Sequence, residues 1–319
     1  MNIGFTMDKK KQVFEEKQAT LDDGSVINYA EYPNSGKKAL LLIHGQSGAW
    51  QDYGRVLPAL SKDWHIFAVD CYGHGGSSHN DAKYYLDVNG GDLIWFVKNI
   101  IGKETVVSGH SSGGLLAAYV AAYGGDLVVG AVLEDPPVFS TEQGNFENSF
   151  AYHDTYKTLH EYNQSEKTEC WEAYYMRNCL WGRLYMPSAM KGLANYAEKY
   201  SRKNPGKPVR YFFMPESINF MFLYTRHYDL QFGERFYDYS WHNGIKHETL
   251  MKDISVPAIF LHAKASYTDD GILMAASSNE QARRAVELIG DCELIELSSN
   301  HNIHRFNAKI FIAGINKMK

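Results

Sequence analysis

Apolar and polar positions alternate along the chain in a way that predicts strands and helices in turn. Eight short apolar runs are typical of β-strands, and the continuous ones indicate strands that are buried on both faces of a parallel sheet. These runs are residues 18–21, 27–31, 39–43, 65–69, 105–107, 128–133, 258–261 and 292–297. Helical spacing is found between them, over residues 50–60, 86–101, 112–123, 278–289 and 304–318. The sequence therefore predicts an α/β fold with a mostly parallel, eight-stranded sheet and helices on both faces.

The alternation is interrupted between Pro136 and Asp253. More than half of the chain's 22 Tyr, 16 Phe and 6 Trp lie in this segment, which shows no strand rhythm. A small helical subdomain on the rim of a sheet needs bulky side chains to fill its thin core. We therefore predict a core domain of residues 1–136 and 253–319. Residues 137–252 are predicted to form a helical cap, inserted between the sixth and seventh core strands.

A glycine-rich turn joins the fifth predicted strand to an alanine-rich helix and offers three candidate serines. A nucleophile at the tip of such a turn needs small residues two positions before and after it, because the chain passes close to itself there. Ser108 and Ser112 fail this test, whereas Ser111 lies between Gly109 and Gly113. The pattern G-x-S-x-G thus favours Ser111 as the nucleophile.

Two further loops follow strands that end at the same edge of the predicted sheet. The run His44-Gly45-Gln46 follows the third strand. The backbone N–H of Gln46, together with that of Ser112, could form an oxyanion hole for a tetrahedral intermediate. The glycine-rich loop 70–78 contains His74, for which we expect an architectural role.

The loop after the last strand supplies candidates for a general base. A serine hydroxyl is hardly ionised at neutral pH, and imidazole is the group best matched to accept its proton. His301 lies in this loop, so we expect it to be the base. His304 is expected to open the final helix and to serve packing.

Composition and charge exclude several classes of partner. With 32 Lys and Arg against 37 Asp and Glu, the net charge of −5 argues against a nucleic-acid or anionic-membrane surface. No apolar run has the length of a signal peptide core or a membrane span. The cysteines show no metal-ligand spacing; they are Cys71, Cys170, Cys179 and Cys292. We predict a cytoplasmic protein in a reduced compartment, without metal or cofactor, that acts on a small molecule. A homo-oligomer is compatible with the sequence.

The order of these four motifs along the chain resembles that of the α/β-hydrolase superfamily, over essentially the whole chain. The resemblance implies the α/β-hydrolase fold and a triad in the chain order Ser, acid, His. It implies Ser111 as nucleophile, His301 as base, and the amides of Gln46 and Ser112 as oxyanion donors. In one departure from the family pattern, Asn300 stands before the histidine where the family often has Gly.

The acid of the implied triad has two candidate positions. Many members of the superfamily carry it shortly after the seventh strand, but here His262 is followed by Ala-Lys-Ala-Ser. Asp269 and Asp270 come later than the family pattern requires. Other members carry the acid after the sixth strand, where this chain has Asp135. The spacing from Ser111 fits one helix and one return strand, so we favour Asp135 and keep Asp269 or Asp270 as the alternative.

The resemblance implies a serine hydrolase that forms an acyl-enzyme on Ser111 and releases it to water. Relatives that cleave carbon–halogen bonds or epoxides carry Asp at this position, so esters, lactones, amides and C–C bonds of β-diketones remain. The aromatic cap favours a small or medium-sized, largely apolar substrate. Two alternatives stay open. One is a ligand-binding or sensor protein with little turnover, and the other is an acyltransferase or perhydrolase with the same triad.

Overall fold

A single eight-stranded sheet forms the centre of the molecule. The structure is a computed structural model that describes residues 14–319, except for the side chain of Ser217. The strands are β1 (Glu15–Thr20), β2 (Val26–Tyr32), β3 (Ala39–Ile43), β4 (His65–Val69), β5 (Thr105–His110), β6 (Val128–Glu134), β7 (Ala258–Ala263) and β8 (Cys292–Leu297). Their order is β1-β2-β4-β3-β5-β6-β7-β8, and every neighbouring pair except β1/β2 and β2/β4 is parallel. The predicted α/β fold with a mostly parallel sheet is confirmed.

Helices cover both faces of the sheet, because the central strands are apolar on both sides. The helices are α1 (Leu57–Leu60), α2 (Leu86–Phe96), α3 (Ser112–Tyr123), α4 (Lys157–Gln164), α5 (Trp171–Asn178), α6 (Leu180–Tyr185), α7 (Met190–Lys203), α8 (Glu216–Phe220), α9 (Leu230–Tyr237), α10 (His247–Lys252), α11 (Asn279–Ile289), α12 (Ile303–Phe306) and α13 (Ala308–Asn316). In β3, Leu40 and Leu42 pack in the layer that contains α1 and α13. Leu41 and Ile43 point the other way, into the layer that contains α2, α3, α10 and α11.

Three predicted helices are not continuous α-helices. The one predicted over residues 86–101 is an α-helix only to Phe96 and continues as a π-helix from Val97 to Ile101. Over residues 50–60, a 3₁₀ turn (Trp50–Arg55) precedes α1. The carboxyl-terminal helix is broken at Asn307, whose φ of −130° and ψ of 45° are not helical. Asn is a poor interior helix residue because its side chain competes for backbone hydrogen bonds.

The segment between β6 and β7 consists of helices and turns and contributes no strand to the sheet. One part, around α5 and α7, has its own apolar cluster, with Met176, Leu193 and Phe222 among its members. Another part, α4 and α9, packs into the main core through Leu159 and Phe232. The division into domains at residues 136/137 and 252/253 stays a prediction, and residues 1–13 of the predicted core domain lie outside the described residues. No helix within residues 14–319 is long and apolar enough to cross a membrane.

The loops that carry the predicted site residues meet at one edge of the sheet. Strands β3, β5, β6, β7 and β8 run parallel, so their carboxyl ends lie side by side. In open α/β sheets, ligands bind outside these ends. The pairing of Ile43 with Gly109 brings the loop after β3 next to the turn after β5.

Candidate active site

Ser111 occupies a strained turn between β5 and α3. Its φ of 54° and ψ of −124° lie outside the regions that a residue with a side chain normally adopts. The Ser111 N–H donates a hydrogen bond to the carbonyl of Glu134, at 2.9 Å, which fixes the turn against β6. The strain therefore presents the Ser111 side chain at the sheet edge.

The two flanking glycines are required by backbone contacts. A Cβ atom on Gly109 would lie 1.9 Å from the carbonyl oxygen of Gly113, and one on Gly113 would lie 2.3 Å from that of His44. Neither backbone can yield without displacing a strand or a helix. Of the three serines, Ser108 and Ser112 are buried, whereas Ser111 is half-buried and lines the cavities described below.

Asp135 and His301 are joined by a hydrogen bond across the sheet edge. His301 Nδ1 lies 2.7 Å from Asp135 Oδ2. Burial of Asp135 favours its neutral form, but hydrogen bonds from His262 and His301 outweigh it and hold the pKa of this carboxyl below its usual value. Asp269 and Asp270 are exposed, and Asp270 accepts a hydrogen bond from Thr268 instead. The loop after β6 thus supplies the carboxylate that contacts His301.

The ring of His301 lines the same cavity as Ser111. Its Nδ1 is engaged by Asp135, so Nε2 is the ring nitrogen that remains to accept a proton. No hydrogen bond joins it to the Ser111 hydroxyl within the described residues. Such contacts are often long before a substrate is bound.

The loop after β3 approaches Ser111 closely and carries one of the predicted oxyanion donors. A Cβ atom on Gly45 would lie 3.0 Å from Ser111 Cβ, so only glycine allows this approach. The backbone N–H groups of Gln46 and Ser112 have no acceptor within residues 14–319. These two amides are therefore not used in the hydrogen bonds that fix the loop and the turn.

Two buried histidines hold this loop in place. His74 Nε2 accepts a hydrogen bond from the Ser47 N–H at 3.0 Å, and His44 Nε2 accepts one from the Cys71 N–H at 2.9 Å. Burial lowers the pKa of both rings, so they stay neutral and can accept these bonds. The position of His74 agrees with the architectural role expected from the sequence.

His304 is directed away from the cavity. It is buried in α12, and its Nδ1 lies 2.8 and 2.9 Å from the two carboxylate oxygens of Glu134. The His304 N–H also donates to Glu134, at 2.7 Å. This pair anchors the final helices to the end of β6. His304 lines neither of the cavities described below, whereas His301 lines both.

Two site histidines were given no role by the sequence analysis. His110 precedes Ser111, lines the larger cavity and has its ring centre 4.5 Å from that of His301. Burial and the neighbouring histidines keep the pKa of His110 well below its usual value. His262, at the end of β7, contacts Asp135 from the side opposite His301. In the sequence, His110 stands at the variable position of G-x-S-x-G before Ser111, and His262 stands at the end of a buried strand. Neither position by itself indicates a contact with the other site residues.

Two cavities meet at Ser111 and His301. The larger, of about 280 Å³, extends from the loop after β3 to aromatic side chains of the segment between β6 and β7, such as Trp171, Tyr175 and Tyr228. The smaller, of about 240 Å³, is lined on the other side by a set that includes Phe146, Phe150 and Met274. Tyr156 lines both. A molecule bound at Ser111 can therefore place one group in each cavity.

Asp52 is a carboxyl in the wall of the larger cavity. It is only 4% exposed, and burial raises its pKa to about 7, although the charges of His304 and Arg305 oppose the shift. Its Oδ2 accepts a hydrogen bond from the Ala49 N–H at 3.4 Å. Burial thus favours the uncharged form of this side chain.

Metal-binding clusters are absent from residues 14–319, where no three His, Cys, Asp or Glu side chains lie close enough to hold an ion. The cysteines of this part of the chain are free thiols. The site described above is thus made of hydroxyl, imidazole, carboxyl and backbone amide groups.

The sequence matches the model of a known protein family. Residues 40–226, more than half of the chain, match the model of the alpha/beta hydrolase family. The chain belongs to this family. The matched range begins in β3 and includes Ser111 and Asp135.

Curated relatives of this alpha/beta hydrolase match over shorter segments. The human serine hydrolase-like protein is 29% identical over 115 residues, which are 35% of this chain and 57% of that protein. Lipase 3 of Moraxella sp. (strain TA144) is 33% identical over 119 residues, 36% of this chain and 38% of the lipase. The chain thus matches less than two thirds of the length of each of these relatives.

Solved structures agree with the alpha/beta hydrolase fold over nearly the whole chain. An esterase from Rhodococcus sp. ECU1013 superposes with a TM-score of 0.63 and 20% identity, over 95% of this chain and 97% of the esterase. The enol-lactonase of Burkholderia xenovorans LB400 gives a TM-score of 0.64 and 16% identity, over 95% and 99% of the two chains. At these identities the likeness concerns the fold.

Proposed function

We propose that this alpha/beta hydrolase is a serine hydrolase that cleaves an ester-like bond through an acyl-enzyme on Ser111. The observation that carries the proposal is the strained turn at Ser111 beside a His301–Asp135 pair whose bond is 2.7 Å long. A positive φ at a buried turn is unfavourable, and such strain clusters at functional sites. A serine hydrolase-like protein and a lipase among the similar sequences support the same class of reaction.

The proposed mechanism uses three side chains and two backbone amides of the described site. Ser111 Oγ attacks the carbonyl carbon while His301 Nε2 takes its proton, and Asp135 holds the ring in the tautomer with the proton on Nδ1. The amides of Gln46 and Ser112 donate hydrogen bonds to the oxyanion that develops. His301 then returns the proton to the leaving group, and a water molecule releases the acyl group in the reverse sequence.

The two cavities suggest the form of the substrate. Ser111 lies where they meet, so one cavity receives the acyl group and the other the leaving group. Both are lined largely by aromatic and apolar side chains, which favours apolar groups on both sides of the carbonyl. The volumes of about 280 and 240 Å³ suit small or medium-sized groups rather than long chains.

A serine-directed probe and a matched pair of variants test the proposal. A fluorophosphonate should label the protein at Ser111, and p-nitrophenyl esters of increasing acyl length should be hydrolysed with a preference for short and medium chains. Ser111→Ala should lower kcat by a factor on the order of 10⁴ or more. Ser108→Ala makes the same chemical change at a buried hydroxyl that has no partner in the described residues, and it should leave kcat unchanged.

The outcome also separates the alternatives. A protein that binds apolar esters without labelling at Ser111 would support the ligand-binding alternative. Labelling and turnover that persist in Ser111→Ala would show that another residue is the nucleophile, and the proposal would be wrong.

A further inference from the structure

Asp135 has an imidazole on each of its two carboxylate oxygens. Oδ2 faces His301 Nδ1 at 2.7 Å, and Oδ1 faces Nδ1 of His262 at 3.2 Å. The Ala263 N–H donates to the same Oδ1, at 3.1 Å. The proposed mechanism uses only the first of these contacts. His262 is fully buried at the end of β7, out of reach of the cavities.

The second ring nitrogen of His262 also faces an oxygen. His262 Nε2 lies 2.9 Å from Oδ1 of Asn279, the first residue of α11. The orientation of this amide is fixed independently, because the Ala265 N–H donates to the same oxygen at 2.9 Å. Both nitrogens of His262 thus face acceptors. A neutral imidazole has one N–H and would leave its other nitrogen against an oxygen, whereas an imidazolium donates to both.

The charged groups around His262 favour the cationic form. Asp135 lies on the loop after β6, and Glu296 stands opposite His262 in the register of β7 and β8. Glu280, in the first turn of α11, also acts on it. Arg283, in α11, pairs with Glu296 at 2.8 Å and brings a positive charge to this side. Burial disfavours charge on His262, but its bonds to Asp135 and Asn279 and the nearby carboxylates raise its pKa.

We propose that His262 is a positioning residue that remains an imidazolium throughout turnover, holding Asp135 against His301 and compensating its negative charge. The proposal rests on the proposed function, in which His301 must be neutral to accept the Ser111 proton. The positive charge of His262 partly cancels the negative charge of Asp135. His301 therefore binds a proton less strongly than it would beside an isolated carboxylate. His110, the other titratable ring beside His301, is buried and neutral and adds no such charge. The enzyme therefore retains activity at lower pH than an isolated Asp–His pair would allow.

Exchange of Asn279 tests the charge while leaving His262 in place. In Asn279→Leu the acceptor at Nε2 is gone, so His262 can become neutral and still donate from Nδ1 to Asp135. The acid limb of the kcat/KM–pH profile should then move upward by about one pH unit, which is roughly a tenfold loss of kcat/KM at pH 5.5, with the plateau above pH 8 little changed. Asn279→Asp keeps an acceptor at this place, so the acid limb of its kcat/KM–pH profile should coincide with that of the parent.

Exchange of His262 tests its positioning role. His262→Gln can still donate one hydrogen bond to Asp135 but carries no charge. We expect the same upward shift of the acid limb, together with a fall in the plateau kcat of about tenfold and little change in KM, because Asp135 is held less firmly. If His262 served packing alone, its exchange would change the stability of the protein and leave the pH profile unchanged. Should His262→Gln fail to fold, Asn279→Leu still decides the question of charge.

A measurement that needs no turnover keeps the two proposals distinguishable. Imidazole ¹⁵N NMR of the protein, with the His262 signals assigned by their loss in His262→Gln, should show both nitrogens protonated at pH 6.5. A neutral His262 at pH 6.5, or pH profiles of both variants that superimpose on the parent profile, would overturn the inference. If the parent hydrolyses no ester while His262 is an imidazolium, the proposed function fails and the charge of His262 stands.

Discussion

Asp135 is surrounded by donors, and this makes it more sensitive to substitution than the other candidate carboxylates. His301, His262 and the Ala263 N–H all point at its two oxygens. In Asp135→Asn an amide NH₂ would replace one acceptor and face an N–H, so the ring of His301 loses its orientation and tautomer. We expect kcat to fall at least about a hundredfold with KM little changed, measured by steady-state kinetics on a p-nitrophenyl ester.

The controls for this prediction lie on the loop after β7. Asp269 and Asp270 are exposed and make no hydrogen bond to His301, so Asp269→Asn and Asp270→Asn should each stay within roughly tenfold of the parent kcat. Glu134, the neighbour of Asp135, is committed to His304 and offers no replacement carboxylate. A crippling effect of Asp270→Asn with an active Asp135→Asn would place the acid after β7.

The two carboxyl-terminal histidines should differ in what their loss affects. His301→Ala should abolish turnover and leave the melting temperature nearly unchanged, because its half-exposed ring contributes little to the core. His304→Ala removes the imidazole partner of the fully buried Glu134 and leaves it the backbone N–H of residue 304, and loss of one partner of a buried pair costs up to about 3–5 kcal/mol of unfolding free energy. Activity and thermal melts measured on both variants check this. A stable but inactive His304→Ala together with an active His301→Ala would reverse the assignment.

Sequence reasoning reached those site residues whose chemistry is constrained by near neighbours. Ser111 could be singled out because the test concerned Gly109 and Gly113, two residues away, and the structure gives that test a steric cause. The contact of His301 with Asp135 rather than Asp270 depends on the path of two loops, which no local pattern describes. His262 could not be found for the same reason, because its partner lies 127 positions away in sequence.

At the scale of elements, α2 contains a pair of adjacent glycines with opposite requirements. A Cβ atom on Gly90 would lie 2.3 Å from the ring of Tyr119 in α3, whereas one on Gly91 meets nothing within 4 Å. Alanine is the better helix former by about 0.5–1 kcal/mol. Gly91→Ala should therefore raise the unfolding free energy by about this amount, and Gly90→Ala should lower it because α2 must move away from α3.

Chemical denaturation of the two variants measures this difference directly. The substitutions are identical and one position apart, so the helix propensity gained is the same in both, and the difference reports the packing of α2 on α3. Equal stabilisation by both would show that Tyr119 moves aside at little cost.

Strands could be located from the sequence more reliably than helix ends. Strands such as β3 and β5 are buried on both faces, so β3 in particular is apolar at every position and is visible without alternation. The break at Asn307 depends on backbone angles that the apolar spacing of residues 304–318 does not reveal. The order of strands along the sheet likewise depends on pairing between distant segments and cannot be inferred from any single one.

At the scale of the whole molecule, the buried carboxyl of Asp52 makes stability depend on pH. Its pKa is about 7 in the folded protein and about 3.9 in an unfolded chain, so between these values the folded state holds a proton that the unfolded state has lost. Stability contributed by this group is therefore complete below pH ~4 and declines as pH rises toward 7. Asp52→Asn removes the cost of burying an ionised carboxylate at higher pH, and it keeps an acceptor for the Ala49 N–H.

We expect the difference in unfolding free energy between Asp52→Asn and the parent to grow with pH. At pH 4 the two proteins should have similar unfolding free energies. At pH 8 Asp52→Asn should be more stable by a few kcal/mol, since each tenfold difference in proton affinity between the folded and unfolded states corresponds to about 1.4 kcal/mol. Urea unfolding at both pH values checks this. A constant difference across the range would contradict it.

The two cavities that meet at Ser111 have a consequence for the fate of an acyl-enzyme. When the leaving group departs, its cavity empties while the acyl group stays anchored in the other, so the second reactant enters through a space of fixed size and lining. Water fits either space, but an alcohol competes with water only if its body resembles the group that has just left. Partitioning of the acyl group between water and added alcohols would therefore rank leaving groups by shape, and it would reveal which cavity serves which half of the substrate.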